Sequence, residues 1–172
     1  MSSGRAVSEA HPAPRWLAPT IVVGIVVLDQ ITKSWVVAAL SDGPLSIIGD
    51  DVEFRLTRNS GGAFSIFTNA TLFFAVMAIV LSFVLVRAVR KAQDLLSVIA
   101  LSLVLGGALG NLSDRIFRSP GFLRGHVVDY VRVGSFPSFN VADSAITIGA
   151  ILLIILALRP VPSHEVGDDH PA

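Results

Sequence analysis

Four long apolar runs constrain this chain more than any other feature. They span residues 16–40, 71–89, 95–112 and 141–158, and each approaches the roughly 20 residues that an α-helix needs to cross a bilayer. Of the 172 residues, 52% are hydrophobic and only 15% are charged, which is typical of a membrane protein. We therefore expect an all-α integral membrane protein of four transmembrane helices, forming one domain over residues 16–159.

The ends of the chain differ from this domain. Residues 1–15 and 160–172 are polar and lack apolar periodicity, so both are predicted to be disordered tails. The first apolar run is longer than the apolar core of a signal peptide and has polar residues in its second half. It is therefore interpreted as a retained transmembrane helix.

Two connecting segments lie between the apolar runs. In residues 41–69, Val52, Phe54 and Leu56 alternate with polar residues, which predicts a half-exposed strand. The glycines of RNSGGAFSIF permit a tight turn; Ala63 to Phe67 could then rest on the membrane or on a substrate, or form an ordinary turn with a buried Phe. Residues 116–137 are interpreted as a polar connection.

Several kinds of chemistry are excluded by composition. The formal net charge is zero, so no basic field favours nucleic acid. There is no cysteine, which excludes disulfides, thiolate catalysis and zinc–thiolate sites. His164 and His170 do not have the spacing of metal ligands, and no metal or cofactor is expected.

Four spans would place both termini on one side of the membrane and gather the polar side chains at the other side. Arginine and lysine counts on the two sides are equal and do not decide the orientation. The cluster Arg87, Arg90 and Lys91 favours cytoplasmic termini. The gathered polar residues are Asn59, Asn111, Asp114, Asp129, Asn140 and Asp143.

Asp143 stands at the mouth of the fourth apolar run, where an acid is costly. An Asp in hydrocarbon costs roughly 2.5–3.5 kcal/mol, so it is expected to have a partner or a task. We hypothesise a catalytic pair with Asp129, since two carboxylates held close together share one proton. The ionised acid can take a proton from water while the protonated acid hydrogen-bonds a scissile carbonyl.

Other polar groups allow structural interpretations as well as functional ones. Asp29 and Lys33 are four residues apart on one helix face and are predicted to form an ion pair. Gly106 and Gly110 permit close helix packing. The main alternative to an enzyme is a small ion- or proton-coupled transport subunit that uses intramembrane carboxylates; a non-enzymatic scaffold is a third possibility.

Five motifs together resemble the lipoprotein signal peptidase (signal peptidase II) family over about residues 16–158. They are DQITKSW, RNSGGAFSIF, GGALGNLSDR, HVVDYV and FNVADSAITIG, in the family's order. The resemblance implies an aspartic endopeptidase of the bacterial inner membrane with a small extracytoplasmic β-platform, here about residues 41–69. Its active site would lie near the extracytoplasmic face.

The resemblance also implies a substrate and an inhibitor. The substrate would be a prolipoprotein whose lipobox Cys already carries diacylglycerol, cut just before that Cys at the membrane lipid surface. Cyclic peptides of the globomycin type inhibit the family.

Residue roles follow from the same motifs. Asp129 of HVVD and Asp143 of NVAD would be the catalytic pair, and Asp114 would hold Arg115 and order the end of the third helix. The segment between the pair is shorter than expected for the family. The residues expected to bind the substrate backbone, orient the acids or brace the pocket are Asn59, Asn111, Arg115, Asn140, Asp29 and Lys33.

Overall fold

The computed structural model describes residues 13–49, 51–61 and 70–159. The helices are α1 (Leu17–Ala39), α2 (Ala70–Lys91), α3 (Leu95–Phe117) and α4 (Val141–Ala157). The strands are β1 (Leu45–Ile48), β2 (Val52–Asn59) and β3 (Val127–Val133), which form one antiparallel sheet in the order β1-β2-β3.

The helices fit the composition of a membrane protein. α1, α2 and α3 are long and apolar enough to cross a membrane, whereas α4 is apolar but has only 17 residues. The predicted tails lie outside the described residues apart from residues 13–15. The segment from Ala63 to Phe67 also lies outside the described residues.

α3 is the central helix, since it contacts α1, α2 and α4. The predicted glycine pair faces α1: a Cβ on Gly106 would meet Ile25, and one on Gly110 would meet Asp29. Gly107 faces α4, where a Cβ would collide with the carbonyl oxygen of Ala142. The absence of side chains at these positions lets the first turn of α4 and the middle of α1 lie directly against α3.

Replacing Gly107 with Ala is expected to lower the free energy of unfolding by about 1–3 kcal/mol, because the new methyl group must push α4 away. The position of Asp143 should change as well, since Ala142 immediately precedes it. Gly24→Ala is the matched control, because a Cβ at Gly24 meets no atom within 4 Å. Thermal unfolding of both variants measures the difference, and equal midpoints would contradict this account of the helix contact.

The sheet confirms one prediction and corrects another. The strand predicted around Phe54 is present and continues to Asn59. The polar connection predicted for residues 116–137 is wrong in two respects: α3 continues to Phe117, and β3 occupies the second half of the segment. β3 pairs with β2, with Thr57 opposite Asp129. No local pattern specifies this pairing, because the two strands are about 70 residues apart.

An apolar contact joins the sheet to α1. Val36 of α1 and Leu40, the residue that caps its C-terminus, pack with Val128 and Tyr130 of β3 in one buried cluster. Since successive side chains of a strand point to opposite faces, Asp129 points away from this cluster. Packing of α1 against β3 therefore fixes the direction in which the carboxylate of Asp129 points.

Candidate active site

Asn140 joins the two acids of the predicted pair. Asp129 lies in the middle of β3 and is buried, whereas Asp143 lies in the first turn of α4 and is half-buried. The side-chain Nδ2 of Asn140 donates to Asp129 Oδ1 at 2.7 Å, and its backbone N–H donates to Asp143 Oδ2 at 3.2 Å. The structure thus brings Asp129 and Asp143 to the same residue.

The start of α4 explains why Asp143 is held there. Asn140 is the N-cap residue, and its Oδ1 accepts a hydrogen bond from the backbone N–H of Asp143 at 2.9 Å. With the return bond from the Asn140 N–H to the Asp143 carboxylate, this is a reciprocal capping box. The helix dipole stabilises negative charge in this first turn. The same contacts that begin the helix therefore place and stabilise the carboxylate.

Asn59 completes the surroundings of Asp129. Its Oδ1 accepts from the backbone N–H of Gly61 at 2.8 Å, so its Nδ2 is left to donate to Asp129 Oδ2 at 2.9 Å. Gly61 adopts a φ of 100°, which favours glycine at this turn. Both oxygens of Asp129 thus accept an amide hydrogen bond, one from Asn59 and one from Asn140.

Asn111 donates a side-chain hydrogen bond to Asp143, as Asn59 does to Asp129. Its Oδ1 accepts from Lys33 Nζ at 3.0 Å, and its Nδ2 donates to Asp143 Oδ1 at 2.7 Å. Because an ammonium group can only donate, Lys33, together with Asn140 Nδ2 at 3.2 Å, holds the oxygen of the Asn111 amide and leaves its Nδ2 to face the carboxylate. Lys33 is thus linked to Asp143 through two hydrogen bonds of the Asn111 amide.

Burial raises the pKa of Asp129 to about 6. The hydrogen bond from Asn59 lowers this pKa, the negative charge of Asp143 raises it, and the hydrogen bond from Asn140 lowers it. Asp129 can therefore hold a proton at mildly acidic pH, where an exposed Asp could not. This is the condition that a shared-proton pair requires.

A buried ion network lies behind the pair. Lys33 Nζ lies 2.8 Å from Asp29 Oδ2 and 2.9 Å from Asp114 Oδ2, and all three side chains are fully buried. The predicted pairing of Asp29 with Lys33 is therefore present. Asp29 Oδ1 also accepts from the backbone N–H of Ala142 at 3.0 Å, so α1 caps the start of α4.

The predicted contact between Asp114 and Arg115 is wrong. Asp114 instead accepts from Arg118 Nε at 2.7 Å and from the backbone N–H of Val128 at 3.0 Å, in addition to its contact with Lys33. Adjacent residues on a helix point in different directions, whereas residues four apart share a face. Asp114 therefore anchors α3 to α1 and β3.

Arg115 lies on the side of the catalytic pair. Its guanidinium carbon is 5.7 Å from the centre of the Phe74 ring, and it is within the electrostatic reach of Asp129 and Asp143. Its Nη1 is buried and has no hydrogen-bond partner within residues 13–49, 51–61 and 70–159. A donor in this position is suited to a carbonyl oxygen.

Two residues of the site were not predicted. Gln30 Nε2 bridges Asp29 Oδ2 at 3.2 Å and Asp114 Oδ1 at 3.1 Å, and Arg118 neutralises Asp114. An amide in the first apolar run was a signal for Gln30, and the four-residue spacing from Asp114 was a signal for Arg118. In the part of the chain that the structure describes, no group of three or more His, Cys, Asp or Glu side chains could hold a metal.

Known proteins of one family resemble this chain over most of its length. The family model for Signal peptidase (SPase) II matches residues 21–159. The chain belongs to the signal peptidase II family. It is thus a peptidase, as the motifs predicted, and the transport alternative is not supported.

Signal peptidase II relatives resemble the chain over most of its length. The lipoprotein signal peptidase of Rhodococcus jostii is 46% identical over 158 residues, which cover 91% of this chain and 80% of that protein. That of Mycolicibacterium smegmatis is 45% identical over 173 residues, covering 98% and 72%. A bacterial membrane enzyme solved by the in meso method at 1.9 Å has a TM-score of 0.77 and 33% identity, covering 88% of this chain and 99% of its own.

Proposed function

We propose that this member of the signal peptidase II family is an aspartic endopeptidase that removes signal peptides from prolipoproteins, with Asp129 and Asp143 as its catalytic pair. The observation that carries the proposal is Asn140, which holds one carboxylate with its side chain and the other with its backbone. The names of the curated relatives support the substrate class.

Each acid is suited to a different step. Asp129 is buried and has a pKa raised to about 6 by that burial, so it is the acid that holds the proton and hydrogen-bonds the scissile carbonyl. Asp143 is half-buried at a helix N-terminus, so it is the carboxylate that takes a proton from the attacking water.

Proton transfers then balance over the whole reaction. The water oxygen bonds to the carbonyl carbon while its proton moves to Asp143 and the proton of Asp129 moves to the carbonyl oxygen. The resulting diol collapses when Asp143 gives its proton to the leaving nitrogen and Asp129 regains one from a diol hydroxyl. The C–N bond breaks, and both acids return to their starting state.

The surrounding residues would position the substrate. Arg115 Nη1 is a buried donor without a described partner beside the pair, which suits it to a substrate backbone carbonyl. Asn59, Asn111 and Asn140 would keep the two acids oriented, as their hydrogen bonds already do. Asp29, Lys33 and Asp114 would brace the pocket from α1 and α3.

We infer that residues 16–159 form one domain with four spans in the bacterial inner membrane. The 17 residues of α4 are near the lower limit of roughly 17–25 residues for a spanning helix. The basic residues Arg90 and Lys91 at the end of α2 favour cytoplasmic termini. The catalytic pair and the sheet would then lie near the extracytoplasmic face.

The substrate Cys would carry diacylglycerol, whose chains remain in the surrounding lipid while the peptide enters the site. The test is cleavage of one purified prolipoprotein with and without the diacylglyceryl group. We expect cleavage just before the Cys only in the lipidated form, with inhibition by globomycin. If the well-folded protein cleaves no lipidated substrate, the proposed function is wrong.

The pH dependence of kcat/KM should follow the ionisation of Asp129. Because its pKa is raised to about 6, kcat/KM is expected to fall as pH rises through about 6 and the proton is lost. Asn59→Ala removes a hydrogen bond that favours the ionised acid, so this fall should move to higher pH. Ser46→Ala removes a side-chain hydroxyl from β1, opposite Glu53 and away from the Asn59 end of β2, and should leave the fall in place. A shift to lower pH in Asn59→Ala would contradict the role of Asp129.

A further inference from the structure

A concave site lies between α1, α2 and α3 and begins at the end of the bundle that carries Arg15 and Arg90. α1, α2 and α3 enclose a cavity of about 590 Å³ there, a volume typical of ligand sites. Its walls are mostly apolar, with Val22 from α1, Val86 from α2 and Leu105 from α3 among them. None of the residues of the catalytic pair or the ion network lines it.

The length of this groove matches one leaflet of a bilayer. Along α3 its lining runs from Val98 to Leu109, eleven residues apart. At about 1.5 Å per residue this is roughly 16 Å, close to half of the roughly 30 Å hydrocarbon thickness. An acyl chain entering at the headgroup level would therefore reach the middle of the membrane within the groove.

Two arginines stand at the outer end of the groove. Arg15 precedes α1 and Arg90 lies in the last turn of α2, and both are exposed lining residues. Within the described ranges, no carboxylate lies within 4.0 Å of either guanidinium. Such basic sites between membrane helices suit anionic lipid headgroups.

The segment that carries Arg15 is fixed at this position. The backbone N–H of Ala13 donates to the carbonyl oxygen of Gln93 in the connection between α2 and α3, at 3.3 Å. Trp16 is 63% exposed beside Arg15, and exposed Trp is typical of the membrane–water interface. An arginine beside an interfacial Trp is suited to a lipid phosphate.

We propose that this groove binds an anionic membrane phospholipid. One acyl chain lies between the three helices, and the headgroup phosphate lies between Arg15 and Arg90. The apolar walls distinguish this site from one for a free phosphate ion, which would gain nothing from them. The proposal does not depend on the peptidase activity.

The test is titration of the purified full-length protein with dioleoyl phosphatidylglycerol or dioleoyl phosphatidylcholine, followed by native mass spectrometry. We expect tighter binding of phosphatidylglycerol. The double variant Arg15→Gln/Arg90→Gln should bind it about 30-fold more weakly, as two phosphate-facing basic residues predict. Binding of phosphatidylcholine, whose phosphate is offset by its own choline cation, should weaken less. The matched control, Arg87→Gln/Lys91→Gln, removes the same charge from the same end of α2 outside the groove and should change binding less than about threefold.

A second variant tests the apolar part of the groove while keeping both arginines. Ala18 lines the cavity near Arg15, and Ala18→Trp should obstruct the groove at that end and weaken phosphatidylglycerol binding while prolipoprotein cleavage stays unchanged. The proposal is overturned by equal affinity for the two lipids, by equal losses in the two double variants, or by full binding to Ala18→Trp. If the wild-type protein binds neither lipid, the proposal is wrong.

Discussion

Asp143→Asn is expected to lower kcat/KM for prolipoprotein cleavage by about 10²–10⁴-fold, because this is the contribution of general acid–base catalysis. The amide has the shape of the acid but cannot take a proton from water. It keeps only one of two accepted hydrogen bonds, so stability should fall by about 1 kcal/mol. Steady-state cleavage and the thermal midpoint, measured on the same preparation, separate the two effects. Asp129→Asn should behave similarly.

Asp114→Asn is the matched control, since Asp114 is also a buried carboxylate near the pair. Its oxygens are occupied by Lys33, Arg118 and the backbone of Val128, so its loss should reduce activity only through stability. A well-folded but inactive Asp114→Asn, together with an active Asp129→Asn, would show that the catalytic pair has been assigned to the wrong residues.

Lys33→Met is expected to cause the largest loss of stability in the chain. It leaves Asp29 and Asp114 fully buried without the ammonium group that lies between them at 2.8 and 2.9 Å. Breaking a buried ion pair by removing one partner costs about 3–5 kcal/mol, which thermal unfolding in detergent would measure. Lys91→Met removes an exposed lysine from the end of α2 and should leave the midpoint unchanged. If Lys33→Met unfolded at the same temperature as the wild-type protein, the buried ion network would not contribute to stability.

A second substitution separates charge from orientation. Lys33→Met/Asp29→Asn removes the uncompensated charge and keeps an oxygen for the N–H of Ala142, so most of the lost stability should return. Activity should remain below wild type by at most about tenfold, a fraction of what general acid–base catalysis contributes. The reason is that Asn111 Oδ1 loses the Lys33 donor and keeps only Asn140 Nδ2 at 3.2 Å to orient its amide toward Asp143. Full recovery of activity would limit Lys33 to a structural role.

Local sequence signals predicted the elements that depend on neighbouring residues. Apolar length predicted the helices, alternation around Phe54 predicted β2, and the four-residue spacing predicted the pairing of Asp29 with Lys33. The acid at the start of the last apolar run drew attention to Asp143, since its cost in hydrocarbon demands an explanation.

One error concerns a contact between distant segments, and the other a choice between neighbours on one helix. The valines of β3 were a local signal for a strand, but nothing within residues 116–137 identifies its partner β2, about 70 residues earlier in the chain. The partner of Asp114 was sought in the next residue of the motif, whereas helix geometry places Arg118 there. The structure brings the side chains of Asp129 and Asp143 to the same residue, Asn140. The catalytic roles of the two acids remain predictions.

The pairing of Asp29 with Lys33 on a single helix has a consequence for how the protein is made. α1 emerges from the ribosome before α3 and α4, so neither Asp114 nor the N–H of Ala142 yet exists when it enters the bilayer. Each charge alone would cost roughly 2.5–3.5 kcal/mol at the centre of a helix, but the two neutralise one another across one helical turn. The first helix therefore carries its own counter-ion during insertion, and the later helices find both charges already inside the membrane.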